Sequence, residues 1–210
     1  MASRLAREQV ARAARVLNAR CWARSGPRAL PSLILMTDEH RVADPIAAAR
    51  ALPHRAAIVL RHREPKTRAA LAEALASVAR ARGLILLIAG DAALAARVRA
   101  QGLHLPENRA LEAAHWKAMR PDWLITVAAH SARTLARASM TGADAALLAP
   151  VFPSLSHVER GGIGASRFRL MAAQARLPVY ALGGVNGASI GRLAGARIAG
   201  IAAIETLLPD

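Results

Sequence analysis

The run Ala181-Leu182-Gly183-Gly184-Val185-Asn186 carries the sharpest chemical signal in the sequence. Two adjacent glycines after an apolar run let the backbone come close to a ligand and expose amide N–H donors, which suits a phosphoryl oxygen. A plain tight turn that needs positive φ would use the same pair. Arg61-His62-Arg63 follows another apolar run. In strand alternation the two arginines share one side, and a guanidinium fork suits an anionic oxygen group. An exposed charged loop is the alternative. His130, followed by Ser131, is the general acid–base candidate, because imidazole titrates near neutrality. His104 lies inside an apolar run and reads as a hydrogen-bonded interior residue. Asp38, Asp91, Glu107, the segment Ser154-Leu155-Ser156-His157, and Glu205-Thr206 are the other polar groups that follow apolar runs.

These residues share a position in the chain's rhythm. Short apolar runs at Leu33–Met36, Ala57–Leu60, Leu84–Ala89, Leu103–Leu105, Leu124–Val127, Ala145–Pro150, Val179–Leu182 and Gly200–Ile204 read as strands. Between them, Val42–Leu52, Thr67–Arg82, Ala92–Gln101, Ala110–Ala118, Ser131–Met140, Arg167–Ala175 and Ala188–Ala194 read as helices. Uniformly apolar strands imply burial on both faces, and strict alternation selects an α/β architecture. Eight such units predict a compact single (β/α)8 TIM barrel. An open doubly wound sheet would carry a Gly-rich first turn, and none follows Met36. In a barrel the loops after the strands form the mouth, so all the polar groups above converge there. Only Glu205–Asp210 follow the last strand, too few for a full final helix.

The first 24 residues are Arg- and Ala-rich with one acid, Glu8, a composition also found in transit peptides. Leu5, Val10, Ala13, Ala14, Val16 and Leu17 nevertheless fit the apolar face of a helix. Residues 1–24 are therefore expected to form an extra N-terminal helix packed on a barrel of residues 25–210, covering wall that a longer eighth helix would otherwise cover.

The chain has 210 residues, with 29 Lys+Arg against 14 Asp+Glu and a net charge of +15. Only Lys66 and Lys117 are lysines, so the other 27 basic residues are arginines, scattered over every segment. With aromatics at 3% and no basic stripe, nucleic-acid binding is not expected. A net positive field still favours small phosphorylated ligands. The longest apolar runs fall far short of the roughly 20 residues of a membrane span. Cys21 alone cannot form an internal disulfide. A soluble cytoplasmic protein is expected, and Ala-rich outer helices are compatible with a homodimer.

Taken in order, Met36-Thr37-Asp38, Ile58–Arg63, Gly102-Leu103-His104-Leu105, His130-Ser131, Gly142-Ala143-Asp144, Pro150–His157 and Pro178–Val185 resemble the thiamine phosphate synthase/TenI family from about Leu33 to Leu207. The resemblance implies a barrel that binds the phosphorylated thiazole half of thiamine. Its phosphate would sit on backbone amides at Gly183-Gly184 and near Ile204-Glu205. Ser154 and Ser156 would supply two hydroxyls after strand six, and His130 matches the family's histidine after strand five.

The departures fall on the diphosphate and metal contacts. A synthase joins a pyrimidine diphosphate to thiazole phosphate with Mg²⁺, which needs oxygen ligands. Where the family has an Asn-Asp pair after strand three, this chain has Ala89-Gly90, unless one deletion brings Asp91 into place. Arg109 replaces the second carboxylate, with Glu107 two positions away. Val59, Arg63, Ala128 and His157 replace the family's Gln, Lys, Ser and Lys, and Glu205 replaces a small hydroxyl residue. The resemblance thus implies first a TenI-like tautomerase that moves a proton on the thiazole without a cofactor, using His130. The alternatives are a divergent synthase, for which alone Mg²⁺ is expected, and a non-catalytic binder of a thiamine-phosphate ligand.

Overall fold

In the computed structural model, residues 4–22, 29–153 and 161–209 are described. Eight parallel strands form a closed barrel in sequence order: β1 (Leu33–Met36), β2 (Ala57–Leu60), β3 (Ile85–Ala89), β4 (Gly102–Leu105), β5 (Leu124–Ala129), β6 (Ala145–Leu148), β7 (Val179–Leu182) and β8 (Gly200–Ala203). The register of β8 on β1, from Leu33 opposite Ile201 to Leu35 opposite Ala203, closes the ring. Ile34, Met36, Ala57, Val59, Leu87 and Tyr180 fill the interior. Leu33, Leu35, Ile58, Leu60, Leu86 and Ile88 pack outward in the layer shared with the helices. Both faces of every strand are covered, hence the unbroken apolar runs.

The outer layer comprises α1 (Arg4–Trp22), α2 (Pro45–Ala51), α3 (Pro65–Arg82), α4 (Ala92–Arg97), α5 (Glu112–Met119), α6 (Ala132–Ala138) and α7 (Ala165–Gln174). The helix expected from Val42 starts only at Pro45, because a residue before proline avoids the helical backbone; the Asp44 carboxylate caps it, accepting from Ile46 and Ala47 N–H at 2.9 Å. The helix expected at Ala188–Ala194 is instead a 3-10 turn at Ile190–Leu193. Gly187 and Gly191 weaken a helix there, and Asn186 diverts the N–H groups of Ala188 and Ser189 to its own side chain.

Among the described residues a 3-10 turn at Glu205–Leu207 follows β8, and α1 covers the adjoining wall, against β8 and β1. Val10, Ala14 and Leu17 bury its apolar face. Asn18 donates to Ala199 O at 2.5 Å and Arg7 to Leu208 O at 2.8 Å. No helix among the described residues is long and apolar enough to cross a membrane.

Candidate active site at the barrel mouth

One cavity of about 1200 Å³ opens at the C-terminal ends of the strands, and Arg61, Arg63, Glu107, His130, Gly183 and Gly184 all line it. Asp38, His104, Ile204 and Glu205 reach the same space. Ser154, Ser156 and His157 lie outside the described residues.

On the β7–β8 side, Gly183 and Gly184 take φ of +93° and +65°, a region that side chains disfavour. The close packing also excludes a side chain: a Cβ on Gly184 would lie 2.5 Å from Pro153 O, and one on Gly183 would lie 2.9 Å from Pro150 Cα. The carbonyls of this loop are engaged. Gly183 O accepts from Phe152 N at 3.0 Å, Gly184 O from Ser189 Oγ at 2.8 Å, and Val185 O from Thr206 Oγ1 at 2.9 Å. The last bond ties the loop after β7 to the turn after β8. Glu205 is exposed in that turn at the rim of the cavity.

On the β1–β2 side, Asp38 is held by Arg41 and Arg61, each at 3.4 Å, and accepts from His40 N at 3.1 Å. Partial burial pushes its carboxyl up, but the Arg41 and His40 hydrogen bonds and the two guanidinium charges hold it below the usual value. Thr37 Oγ1 accepts from Arg61 N at 3.0 Å and hydrogen-bonds His62 Nδ1 at 3.2 Å. Thr37 and His62 are thereby buried beneath the rim, which leaves the two arginines to face the cavity.

The corner after β3 is basic. Arg68, which the sequence reading does not single out, donates from Nη1 to His62 O at 2.8 Å and from Nη2 to Ala89 O. Arg109 donates to Gly90 O at 2.8 Å and grips Glu112 with a bidentate fork at 2.6 and 2.7 Å. Asp91 is the N-cap of α4, accepting from Leu94 N at 2.9 Å, and it lines a separate cleft outside the mouth. The Asp91 carboxylate is thus a helix cap rather than part of a ligand set at the mouth. Among the described residues no group of three or more His, Cys, Asp or Glu side chains could hold a metal. Hard divalent cations need oxygen ligands, and of the two positions where the resemblance implies carboxylates one holds Arg109 and the other Gly90, with the neighbouring Asp91 engaged as the cap of α4. The described residues of the mouth do not fit Mg²⁺.

On the β4–β5 side, Glu107 begins a 3-10 turn, Glu107–Arg109, and His130 follows β5. Glu107 Oε2 lies 2.8 Å from both His130 Nδ1 and His130 N. Partial burial pushes the Glu107 carboxyl up, yet hydrogen bonds from His130 and Thr134 carry it below its ordinary value, so it is ionised at neutral pH. Ser131 and Thr134 form a reciprocal capping box at the start of α6, which fixes the backbone that carries His130. Beneath them His104 Nδ1 meets Thr126 Oγ1 at 3.0 Å inside the barrel, as the sequence predicts. Burial, helped by the charges of Arg61 and His130, pushes the pKa of His104 down to about 3. It is neutral at physiological pH.

Fold and cavity together define a (β/α)8 barrel with a cationic mouth, the architecture that places phosphate sites at its seventh and eighth loops. The chain belongs to the thiamine monophosphate synthase family, whose model matches residues 33–207. A putative thiamine-phosphate synthase 2 from Aquifex aeolicus is 34% identical over 102 residues, 49% of this chain and 54% of that protein. A thiamine-phosphate synthase from Lactococcus lactis is 27% identical over 70% of this chain and 67% of that protein. The matched region thus spans only about half the length of the Aquifex relative. A thiamine phosphate pyrophosphorylase structure from Pyrococcus furiosus superposes with a TM-score of 0.70 at 20% identity, covering 84% of this chain and 86% of that one. At that identity the likeness speaks for the fold.

Proposed function

We propose that this protein binds a phosphorylated thiazole at the barrel mouth and catalyses a metal-independent proton shift on its ring. The observation that carries this reading is the β3–β4 corner, where Arg109 stands in place of one implied carboxylate and Asp91 caps α4, in a mouth that keeps both the Gly183-Gly184 loop and His130. With the loop's carbonyls engaged internally, its amide N–H groups are what it offers a phosphate, and Arg61 and Arg63 add positive charge across the cavity. His130 Nε2 takes a proton from a ring carbon as the C–H electron pair moves into the ring system. The imidazolium then returns a proton to the exocyclic carbon attached to the ring, which leaves the ring aromatic, so the net reaction is an isomerisation. A group placed in this way contributes about 10²–10⁴-fold.

The test is to supply the non-aromatic thiazole phosphate tautomer and follow aromatisation by ultraviolet absorbance. Turnover lost in His130→Ala, with ligand binding retained by calorimetry, is expected. Undiminished turnover removes His130 from the mechanism. The names of the relatives favour a second reading, a divergent synthase. Incubation with the pyrimidine diphosphate, thiazole phosphate and Mg²⁺ separates the two: coupled product establishes a synthase, and its absence at high enzyme concentration excludes one. Binding without either product leaves a non-catalytic ligand sensor.

A further inference from the structure

We propose that Glu107 is a positioning residue that keeps the proton of the neutral His130 ring on Nδ1, leaving Nε2 as the lone-pair nitrogen for the cavity. This inference rests on the proton-shift reading for its kinetic consequence, though the pairing itself stands on geometry. An ionised carboxylate only accepts hydrogen bonds, so the 2.8 Å contact between Glu107 Oε2 and Nδ1 requires a proton on that nitrogen. The same oxygen accepts from His130 N at 2.8 Å, so ring and backbone are held by one atom and the imidazole has a defined orientation. Thr134 Oγ1 also accepts from His130 N, at 3.1 Å, which anchors the peptide from the α6 side.

The 3-10 turn that carries Glu107 is itself secured. Arg109, two residues on, clamps Gly90 O at 2.8 Å and Glu112 through its fork. The arginine that stands where the resemblance implies a metal-binding acid therefore serves to fix the turn that orients the histidine. During the proton shift, a C–H bond of the ligand breaks and an Nε2–H bond forms. The imidazolium then lies against an ionised Glu107, which stabilises the charge and takes no proton itself, the role the buried aspartate plays in a hydrolase triad. The proton leaves Nε2 for the exocyclic carbon attached to the ring, and both side chains return to their starting states. No oxidant, reductant or metal enters the balance.

The test uses the full chain with ¹⁵N-labelled histidine, at a pH where the ring is neutral and with His130→Asn to assign the signals. Wild type is expected to show a protonated-type Nδ1 and a bare-type Nε2 at His130. Glu107→Ala should move the proton toward Nε2, the commoner tautomer in water, whereas Glu107→Gln, with its carbonyl oxygen still accepting, should keep Nδ1–H without the negative charge. In turnover, Glu107→Ala should lower kcat about 10²-fold with KM within about twofold. Adding it to His130→Ala should cost nothing further, because the two side chains act as a unit. Retained calorimetric binding of inorganic phosphate reports an intact mouth in each variant. A wild-type Nε2–H pattern, or a nitrogen pattern unchanged in Glu107→Ala, overturns the assignment. Wild-type protein with the Nδ1–H pattern but no isomerisation sinks the proton-shift reading and still supports the pairing.

Discussion

His104 offers a measurement of how dry the barrel interior is. Its side chain is buried at 7% exposure, and its pKa is pushed from 6.5 down to about 3 by burial and by the neighbouring charges of Arg61 and His130. In the unfolded chain it takes up a proton near 6.5. Between these values the unfolded state binds a proton that the folded state refuses, so the full stability is present above about pH 6.5 and drains away as pH falls toward 3. At about pH 5 the solution lies ~1.5 units below the unfolded value, and at ~1.4 kcal/mol per unit the loss is about 2 kcal/mol. The perturbation is His104→Gln, which retains a polar group able to meet Thr126 but has nothing to protonate. Urea unfolding of both proteins at about pH 7 and about pH 5 isolates this residue, because all other titrating groups are shared. Wild type is expected to lose about 2 kcal/mol more than the variant over that interval. Equal losses would refute the reasoning, as would a His104 ring resonance in the folded protein that titrates near 6.5.

Other consequences are open to the same kind of measurement. Gly184→Ala places a Cβ 2.5 Å from Pro153 O and 2.7 Å from Phe152 Cβ, so the loop must shift; calorimetry should show inorganic phosphate bound about tenfold more weakly, or ~1.4 kcal/mol. An unchanged affinity would take the glycine loop out of the phosphate site. Asp91→Ala removes the cap of α4 and should cost about 1 kcal/mol in urea unfolding while ligand binding and turnover persist. A loss of turnover beyond tenfold would return Asp91 to the site. Chelation of divalent cations should leave affinity for the phosphorylated thiazole within about twofold, and a larger loss would show that oxygen donors at the mouth do recruit a metal.

The barrel was legible because its cause is local. Residues such as Ile34 and Leu35 must be apolar on both faces of one strand, and that constraint shows as an uninterrupted run. The mouth residues followed, since each lies just past such a run. Their pairing did not follow. Glu107 and His130 are 23 residues apart, and only the lateral pairing of β4 with β5 brings their loops together. Asp91 had a readable local role, an acid immediately before an Ala-rich helix, which is the ordinary sequence mark of an N-cap. Arg68 gave a weaker cue: once Pro65 is placed in the first helical turn, the following turn of α3 falls over the β2 and β3 rims. The 3-10 turn at Ile190–Leu193 was obscured because the flanking Ala188 and Ala194 and the apolar Ile190 and Leu193 speak for a helix, while the competing bonds of Asn186 depend on loop geometry.

The ladder between β6 and β7 does not stop where the strands do. Val151 N reaches Leu182 O at 2.9 Å and Phe152 N reaches Gly183 O at 3.0 Å, so the connection leaving β6 is tied to the end of β7 and to the first residue beyond it. A change that bulks out one connection must be answered by the other. Substitutions that retune which molecule this rim accepts should therefore arrive in pairs across the two connections, and libraries that randomise only one of them will recover mostly misfolded rims.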